Sequence, residues 1–434
     1  MAEGKRPKSV ITCDLEGRIE TFNEGAEQIF GYRRAEIVGK KRVSVFSPGP
    51  VVLGHVPAWL KAAREQGEFQ TKTVFLRRDG TPFAAQIRIT PTFKNGRQIG
   101  YCGVTEVLDD VDPAEVAPNI SPMTRFFAWV VITRAPFLTA IIVPILIGAA
   151  WVAARGLAAP FPFGQFVLTL LAGIALHVAA NTFNDYFDWK SGTDQTNNDY
   201  FLPYSGGSRS IELGLISERA LFRVALVSLL VSAGLGLLLA AISGPAVLLF
   251  GLAGAFSAYF YTAPPLRLAA RWGLGELAIG LNFGPLAVAG TVYALTGQVS
   301  PVDFLAGVPI GLLTIAILWI NQFPDEAADR ATGKHNLVVV LGKRRARWGY
   351  VALMVAAFGL ALAGAAGGAF PVGAALMVSG LPLAVYATRV ILREYADRTL
   401  VRANAATIRL HLLAGLLMVA GLLWSEQIGR LLGV

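Results

Sequence analysis

The chain has 434 residues, 54% of them hydrophobic and only 15% charged, with a mean hydropathy of +0.53; this excludes disorder and collagen, and it is too apolar for an ordinary soluble globule, in which about a quarter of residues are charged. Two cysteines exclude a disulfide scaffold, while 46 glycines and 23 prolines in so apolar a chain point to membrane helices, which tolerate both. The formal charge of +9 fits nucleic acid, anionic lipid or an anionic substrate until the positions of the charges are considered.

Residues 1–107 are water-compatible, with acids and bases interspersed. The opening MAEGKRPKS leads into no apolar run, so no cleavable signal is expected and this domain should stay in the cytoplasm. Short β-rich runs follow: SVITC, RIETF, QTKTVFLRR, FAAQIRIT and RQIGYCGVTEV. Glu16-Gly17, Asp79-Gly80 and Asn95-Gly96 separate consecutive runs, a hairpin signal. NEGAEQIFGY, between the second and third runs, reads as helical. The expectation is an antiparallel sheet with helices on one side. The stretches DLEGRIETFNEGAEQIFGYRRAEIVGK and FLRRDGTPFAAQIRITPTFKNGRQIGYCGVTEV resemble a PAS domain. That resemblance implies a sensory or dimerising module, with homo-oligomerisation through it an open expectation and its ligand unknown, since some PAS domains bind haem or flavin. The cysteine motif of photoactive flavin PAS domains is absent, His55 reads as an ordinary loop residue, and Cys13 and Cys102 read as two small core residues in neighbouring strands.

Residues 108–124, acidic and with three prolines in LDDVDPAEVAPNISPM, read as a linker. From 125 to 434, charges retreat between long apolar runs. About nine such runs begin near 135, 163, 219, 244, 274, 302, 348, 370 and 406, each matching the roughly 20 residues that cross a bilayer core. Lys and Arg orient them. Loops after the second, fourth, sixth and eighth runs hold Lys190 and Arg209, Arg267 and Arg271, Arg330 through Arg347, and Arg389 through Arg409; the alternate loops have none except Arg155. Even-numbered runs therefore end on the cytoplasmic side of the cell (inner) membrane, the side expected for the N-terminal domain. The positive charge is largely this rim, and a nucleic-acid partner is not expected.

The informative acids stand where apolar helices end. Asn181, Asn184, Asp185 and Asp188 in AANTFNDYFDWKSGTD are spaced i, i+3, i+4 and i+7, on one helical face. Asn321, Asp325 and Asp329 in NQFPDEAADRATGK repeat an i, i+4, i+8 stripe, although Pro324 suits a helix that ends at Phe323. Acids at a helix C-terminus oppose the dipole at roughly 0.3–1 kcal/mol each. Two such clusters look like opposing hard-oxygen cages for Mg²⁺. Lys190, Arg209, Arg271, Arg330 and Lys334 lie in or near the same loops. Acids, metal and bases together can hold a diphosphate and neutralise charge as it leaves, and a membrane cavity beneath suits a lipid tail. The combination indicates ionisation of an allylic diphosphate.

At these residues NDYFDWKSGTD (184–194), NQFPDEAADRATGKHNLVVVLG (321–342), YTAPPLRLAARWGLGELAIGLNFGPLAVAGTVY (261–293) and TRAPFLTAIIVPILIG resemble intramembrane aromatic prenyltransferases of the UbiA superfamily, over roughly 125–430. The resemblance implies nine transmembrane helices around a central cavity in the lipid bilayer. It implies Mg²⁺ on Asp185, Asp188, Asp194, Asp325 and Asp329, with Asn181, Asn184 and Asn321 in the same motifs. Lys190, Arg271 and Lys334 would contact phosphate, Arg209 could assist, and Arg330 stands beside them. The partners implied are a polyprenyl diphosphate and an aromatic acceptor, 1,4-dihydroxy-2-naphthoate in the branch most similar. That branch usually carries Arg where Pro324 stands, so 4-hydroxybenzoate, a haem or chlorophyll precursor, or a glycerol phosphate lipid are alternative acceptors. His177 and His411 read as satisfied interhelical hydrogen bonds. A PAS-gated receptor or transporter is the competing class; transporter acids belong near mid-membrane rather than at helix ends, which favours the enzyme. The position of the PAS module directly ahead of the first helix suggests that it modulates activity.

Overall fold

In a computed structural model, which describes residues 7–196 and 206–432, the chain divides into two compact units: Met1–Ile132 with Arg209–Ser217, and Thr133–Ser208 with Glu218–Val434.

The first unit is built on β1 (Ser9–Asp14), β2 (Ile19–Phe22), β3 (Phe69–Leu76), β4 (Pro82–Lys94) and β5 (Arg97–Val107). They form one antiparallel sheet in the order β2-β1-β5-β4-β3. The expected hairpin turns set this register. Asn95 and Gly96 both take positive φ (51° and 73°), the conformation that a tight two-residue turn demands. Four helices between β2 and β3, from Glu24–Phe30 to Val56–Gln66, cover one part of the sheet. Asn23 caps the first by accepting from Ala26 N at 2.9 Å. Ile19, Phe22, Ile29, Phe30, Phe46, Phe75 and Phe83 make the core. Register pairs Cys13 with Tyr101 and Thr12 with Cys102, so the two thiols point to opposite faces, and burial pushes the Cys13 thiol up to about 11. His55 Nε2 lies 3.1 Å from the Asn119 carbonyl. The acidic stretch read as a linker packs here too: it carries a short helix, Pro113–Val116, and Ile120 lies against the Trp59 cluster.

Arg209–Ser217 belongs to this unit although in sequence it lies between two membrane helices. Gly49 lies so near it that a Cβ would sit 2.0 Å from the Leu213 carbonyl oxygen. Lys41 Nζ lies 3.8 Å from Glu212 Oε1, and Glu212 takes the Arg209 guanidinium at 2.9 Å.

The second unit is helical. Among the described residues eight helices are long and apolar enough to cross a membrane, and the fourth of the nine expected runs is the shorter apolar helix Val247–Phe260. The fifth is broken between Leu274–Asn282 and Pro285–Thr296. Leucines and valines such as Leu230 and Leu237 stay exposed on Glu218–Ser243, as lipid-facing side chains should. Arg155, the one base in an alternate loop, is paired: Asp303 lies 3.3 Å from it and accepts from Trp151 Nε1 at 2.7 Å.

A glycine seam joins the broken fifth pass to helix Pro301–Ala331. A Cβ on Gly284 would lie 2.6 Å from Gly307 O, and one on Gly311 2.5 Å from Gly280 O. Two small-xxx-small pairs thus let the backbones touch. Gly307→Leu should destabilise the protein by about 1–3 kcal/mol through overpacking. A thermal midpoint in detergent equal to that of wild type would contradict the seam.

Candidate active site

Helix Phe163–Lys190 brings the first acidic cluster to its C-terminal end. Asp185 is buried; its Oδ1 accepts from Ser208 N at 3.3 Å and lies 3.6 Å from Arg134 Nη1. Its Oδ2 is buried with no hydrogen-bond partner. Asn184 Oδ1 lies 3.5 Å from the same guanidinium, and Asn181 Nδ2 donates to Thr133 O at 3.1 Å. Arg134, which the sequence argument did not single out, stands immediately before the first pass with φ of 53°. The available signal was a lone base in TRAPFLTA ahead of a long apolar run.

The second cluster lies on Pro301–Ala331, which continues through Pro324 without ending. The expectation of a helix stopping at Phe323 is corrected: the flanking turns keep the ring inside the helix, as membrane helices allow, and the stripe of Asn321, Asp325 and Asp329 stays on one face. Asp325 Oδ2 accepts from Gly206 N at 3.2 Å. Asp329 Oδ2 accepts from Asn336 Nδ2 at 2.7 Å, and Asn336 itself caps the next short helix through Val339 N. Asn321 turns its carbonyl to Asn404 Nδ2 at 2.8 Å.

Lys334 joins the two clusters: its Nζ lies 3.5 Å from Asp188 Oδ2 and 3.7 Å from Asp329 Oδ1. Burial works against charge on Lys334, but the Asp188 and Asp329 carboxylates outweigh it and hold the ammonium above the ordinary lysine value. Thr193 and Thr332 add a hydroxyl contact at 3.4 Å between the same two regions.

Carboxylate and amide oxygens suit Mg²⁺, and the local geometry leaves it space. Gly207 passes in the left-handed region with φ of +72°, and a Cβ there would lie 3.0 Å from Asp185 Oδ1 and 3.4 Å from Asp194 Oδ1. Glycine therefore keeps open the gap between two buried carboxylates, one of which has an orphaned oxygen. Among the described residues, no three His, Cys, Asp or Glu side chains form a ready metal-holding group. The cages expected from sequence are thus not closed by protein alone; Mg²⁺ usually keeps water and takes phosphate oxygens.

Below this polar mouth lies a cavity of about 360 Å³ within the membrane unit, lined by Arg134, Asn181, Asn184, Asp188, Asp325, Asp329 and Lys334 at one end. Apolar residues, including Ile145, Leu176, Phe250 and Ile317, line its walls. The other expected bases have partners of their own. Lys190 pairs with Glu218 at 2.8 Å, Arg330 with Glu326 one turn back, Arg271 donates to Pro265 O at 2.9 Å, and Arg209 pairs with Glu212 in the first unit. Both histidines have a buried Nδ1 without a hydrogen-bond partner among the described residues. His411 Nε2 meets Thr314 Oγ1 at 3.1 Å, as expected of an interhelical bond. His177 lines the cavity, and its buried Nδ1 has no partner, an omission that costs about 1–3 kcal/mol unless a ligand fills it.

The family description "UbiA prenyltransferase family" matches residues 141–413, and "PAS domain" matches 7–111. The chain is 29% identical over 318 residues to the 2-carboxy-1,4-naphthoquinone phytyltransferase of Synechocystis sp., covering 72% of this chain and 98% of that one. It is 32% identical to the 1,4-dihydroxy-2-naphthoate octaprenyltransferase of Mycobacterium tuberculosis, over 54% of this chain and 77% of that one. A solved UbiA homologue from Archaeoglobus fulgidus, bound to GPP and Mg²⁺, covers 68% of this chain and 99% of its own at 17% identity and a TM-score of 0.48. With the family match spanning well over half of its length, the chain belongs to the UbiA prenyltransferase family and carries a PAS domain ahead of its membrane part.

Proposed function

We propose that the protein transfers a polyprenyl group from an allylic diphosphate to 1,4-dihydroxy-2-naphthoate, an aromatic acceptor of menaquinone biosynthesis, with Mg²⁺ required. The observation that carries this is the Lys334 bridge between Asp188 and Asp329 at the polar mouth of an otherwise apolar cavity. Curated relatives named for naphthoate prenyl transfer support the acceptor. Positive loops on the side where both motifs end support a cytoplasmic active site in the inner membrane.

Arg134 and Lys334 would hold the diphosphate head while the tail lies among the apolar walls. Bound Mg²⁺ would supply charge neutralisation as the diphosphate leaves. The C1–O bond breaks with its electron pair going to the diphosphate, and an aromatic carbon attacks the allylic cation and then sheds its proton. The walls exclude water, the competing nucleophile. Asp185→Ala or Asp325→Ala should lower Mg²⁺-dependent prenyl transfer by at least about 10²-fold, in line with loss of preorganised charge stabilisation, while the protein still inserts. Full activity in both variants, read by product mass in lipid, would refute the assignment.

Regulation by the PAS domain is part of the same proposal. Ser208, whose N–H donates to Asp185, is followed directly by Arg209–Ser217, the segment that belongs to the PAS-containing unit. A shift of that segment would thus pull on the chain at the first motif. Gly49→Val, which sets a side chain against the Leu213 carbonyl, should change the rate severalfold in the full-length protein. An unchanged rate and Mg²⁺ dependence, together with evidence that the segment has been displaced, would leave the domain without that role.

A further inference from the structure

Most polar side chains in the cavity walls are satisfied from within the protein, and Gln322, whose buried Oε1 has no partner among the described residues, still donates its amide to Glu276. Thr169 donates to Gln165 O, Ser232 to Ala172 O, Thr291 to Ala287 O and Thr314 to Ile310 O, all at 2.7–3.0 Å. His177 differs. It is 7% exposed, its Nδ1 has no partner, and it faces the cavity. It stands four residues before Asn181 on the same helix, about 6 Å deeper, since each helical residue rises about 1.5 Å. The Phe283 ring packs against it at 4.7 Å between centroids, tilted by 56°, which fixes the imidazole. Beside Phe283, Asn282 spends its amide hydrogens on Ser257 Oγ and Ala278 O, both at 2.8 Å, so its carbonyl oxygen is the atom left for a ligand in the cavity it lines.

We infer that His177, with Phe283 and the Asn282 carbonyl, is the recognition site for a hydroxyl of the aromatic acceptor, one helical turn below the diphosphate motif. The Nδ1 of a neutral imidazole accepts or donates according to its tautomer, and a phenolic O–H can meet either. A prenyl tail has no group that could use it. The aromatic ring would lie against Phe283, with its attacking carbon turned up toward the mouth where the allylic carbon is released. A site built to bond a hydroxyl discriminates strongly against a ligand that lacks one. The inference rests on the aromatic-acceptor reading of function and specifies which wall binds that acceptor.

The test uses the full-length protein in lipid with Mg²⁺, an allylic diphosphate, 1,4-dihydroxy-2-naphthoate, and analogues lacking one hydroxyl. His177→Phe should raise the acceptor KM about tenfold, the loss of one hydrogen bond, while the KM for the prenyl diphosphate stays within about twofold. His177→Gln, which keeps a donor and an acceptor, should restore most of it. On wild type, one deoxy analogue should lose about tenfold in kcat/KM; on H177F that difference should vanish. If H177F fails to accumulate, the comparison moves to H177Q and wild type, and no deoxy penalty on either would overturn the assignment. Wild-type turnover with an unchanged acceptor KM in H177F would overturn the role of His177 alone. Failure of wild type to prenylate any hydroxylated aromatic would remove the acceptor reading beneath it.

Discussion

Two membrane helices end against each other with carboxylates at their C-termini, and Lys334 stands between them, near 3.5 Å from one acid and 3.7 Å from another. This arrangement is electrostatically costly without cations. Each helix end already carries a partial negative charge, and like charges close together at a partly buried site repel by several kcal/mol at an effective dielectric near 20. Lys334 and Arg134 offset part of that repulsion, but the acids of the two motifs outnumber them. The remainder is a standing demand for bound positive charge, in keeping with the proposal that a diphosphate enters with a cation.

The same constraint explains why the polar groups concentrate at one level. Asn336, Gly206 and Ser208 each donate to a motif carboxylate, while on the opposite side of the membrane unit Arg155, Trp151 and Asp303 satisfy one another. Between these ends the walls are mostly apolar and their hydroxyls are bonded to backbone carbonyls, so on the proposed chemistry a cation formed there would meet few nucleophiles other than the one the site admits. Chemistry is confined to a thin layer, and the depth below serves for accommodation.

Much of this was legible in the residues. Alternating strands punctuated by Gly17, Gly80 and Gly96 gave the sheet, because each turn needs a positive φ that few other residues accept. The two acidic stripes were legible because helical spacing places Asp185 with Asp188 and Asp325 with Asp329 regardless of tertiary structure. Arg134 and Asn336 were not, since what recruits them is proximity between segments far apart in sequence. Pro324 misled because soluble-helix rules were applied where neighbouring helices tolerate the ring. The expected phosphate contacts of Lys190 and Arg271 came from the family resemblance and that of Arg330 from its loop; in this structure Lys190 and Arg330 also pair with Glu218 and Glu326, and Arg271 donates to the Pro265 carbonyl. Nor could composition show that Arg209–Ser217 packs with the N-terminal unit, because no local pattern encodes it.

The backbone contact between Gly280, Gly284, Gly307 and Gly311 has an evolutionary corollary. Both helices that meet there also line the cavity, through Asn282 and Phe283 on one and Thr314 and Ile317 on the other. With main chain against main chain, the spacing between those two helices has no side chain to trim or enlarge, so their separation is effectively frozen. Variation in cavity depth would have to be written on the other walls, where Gly254 has the Leu176 side chain for a neighbour. One side of the cavity acts as a fixed ruler, and the other is where the measurement can change.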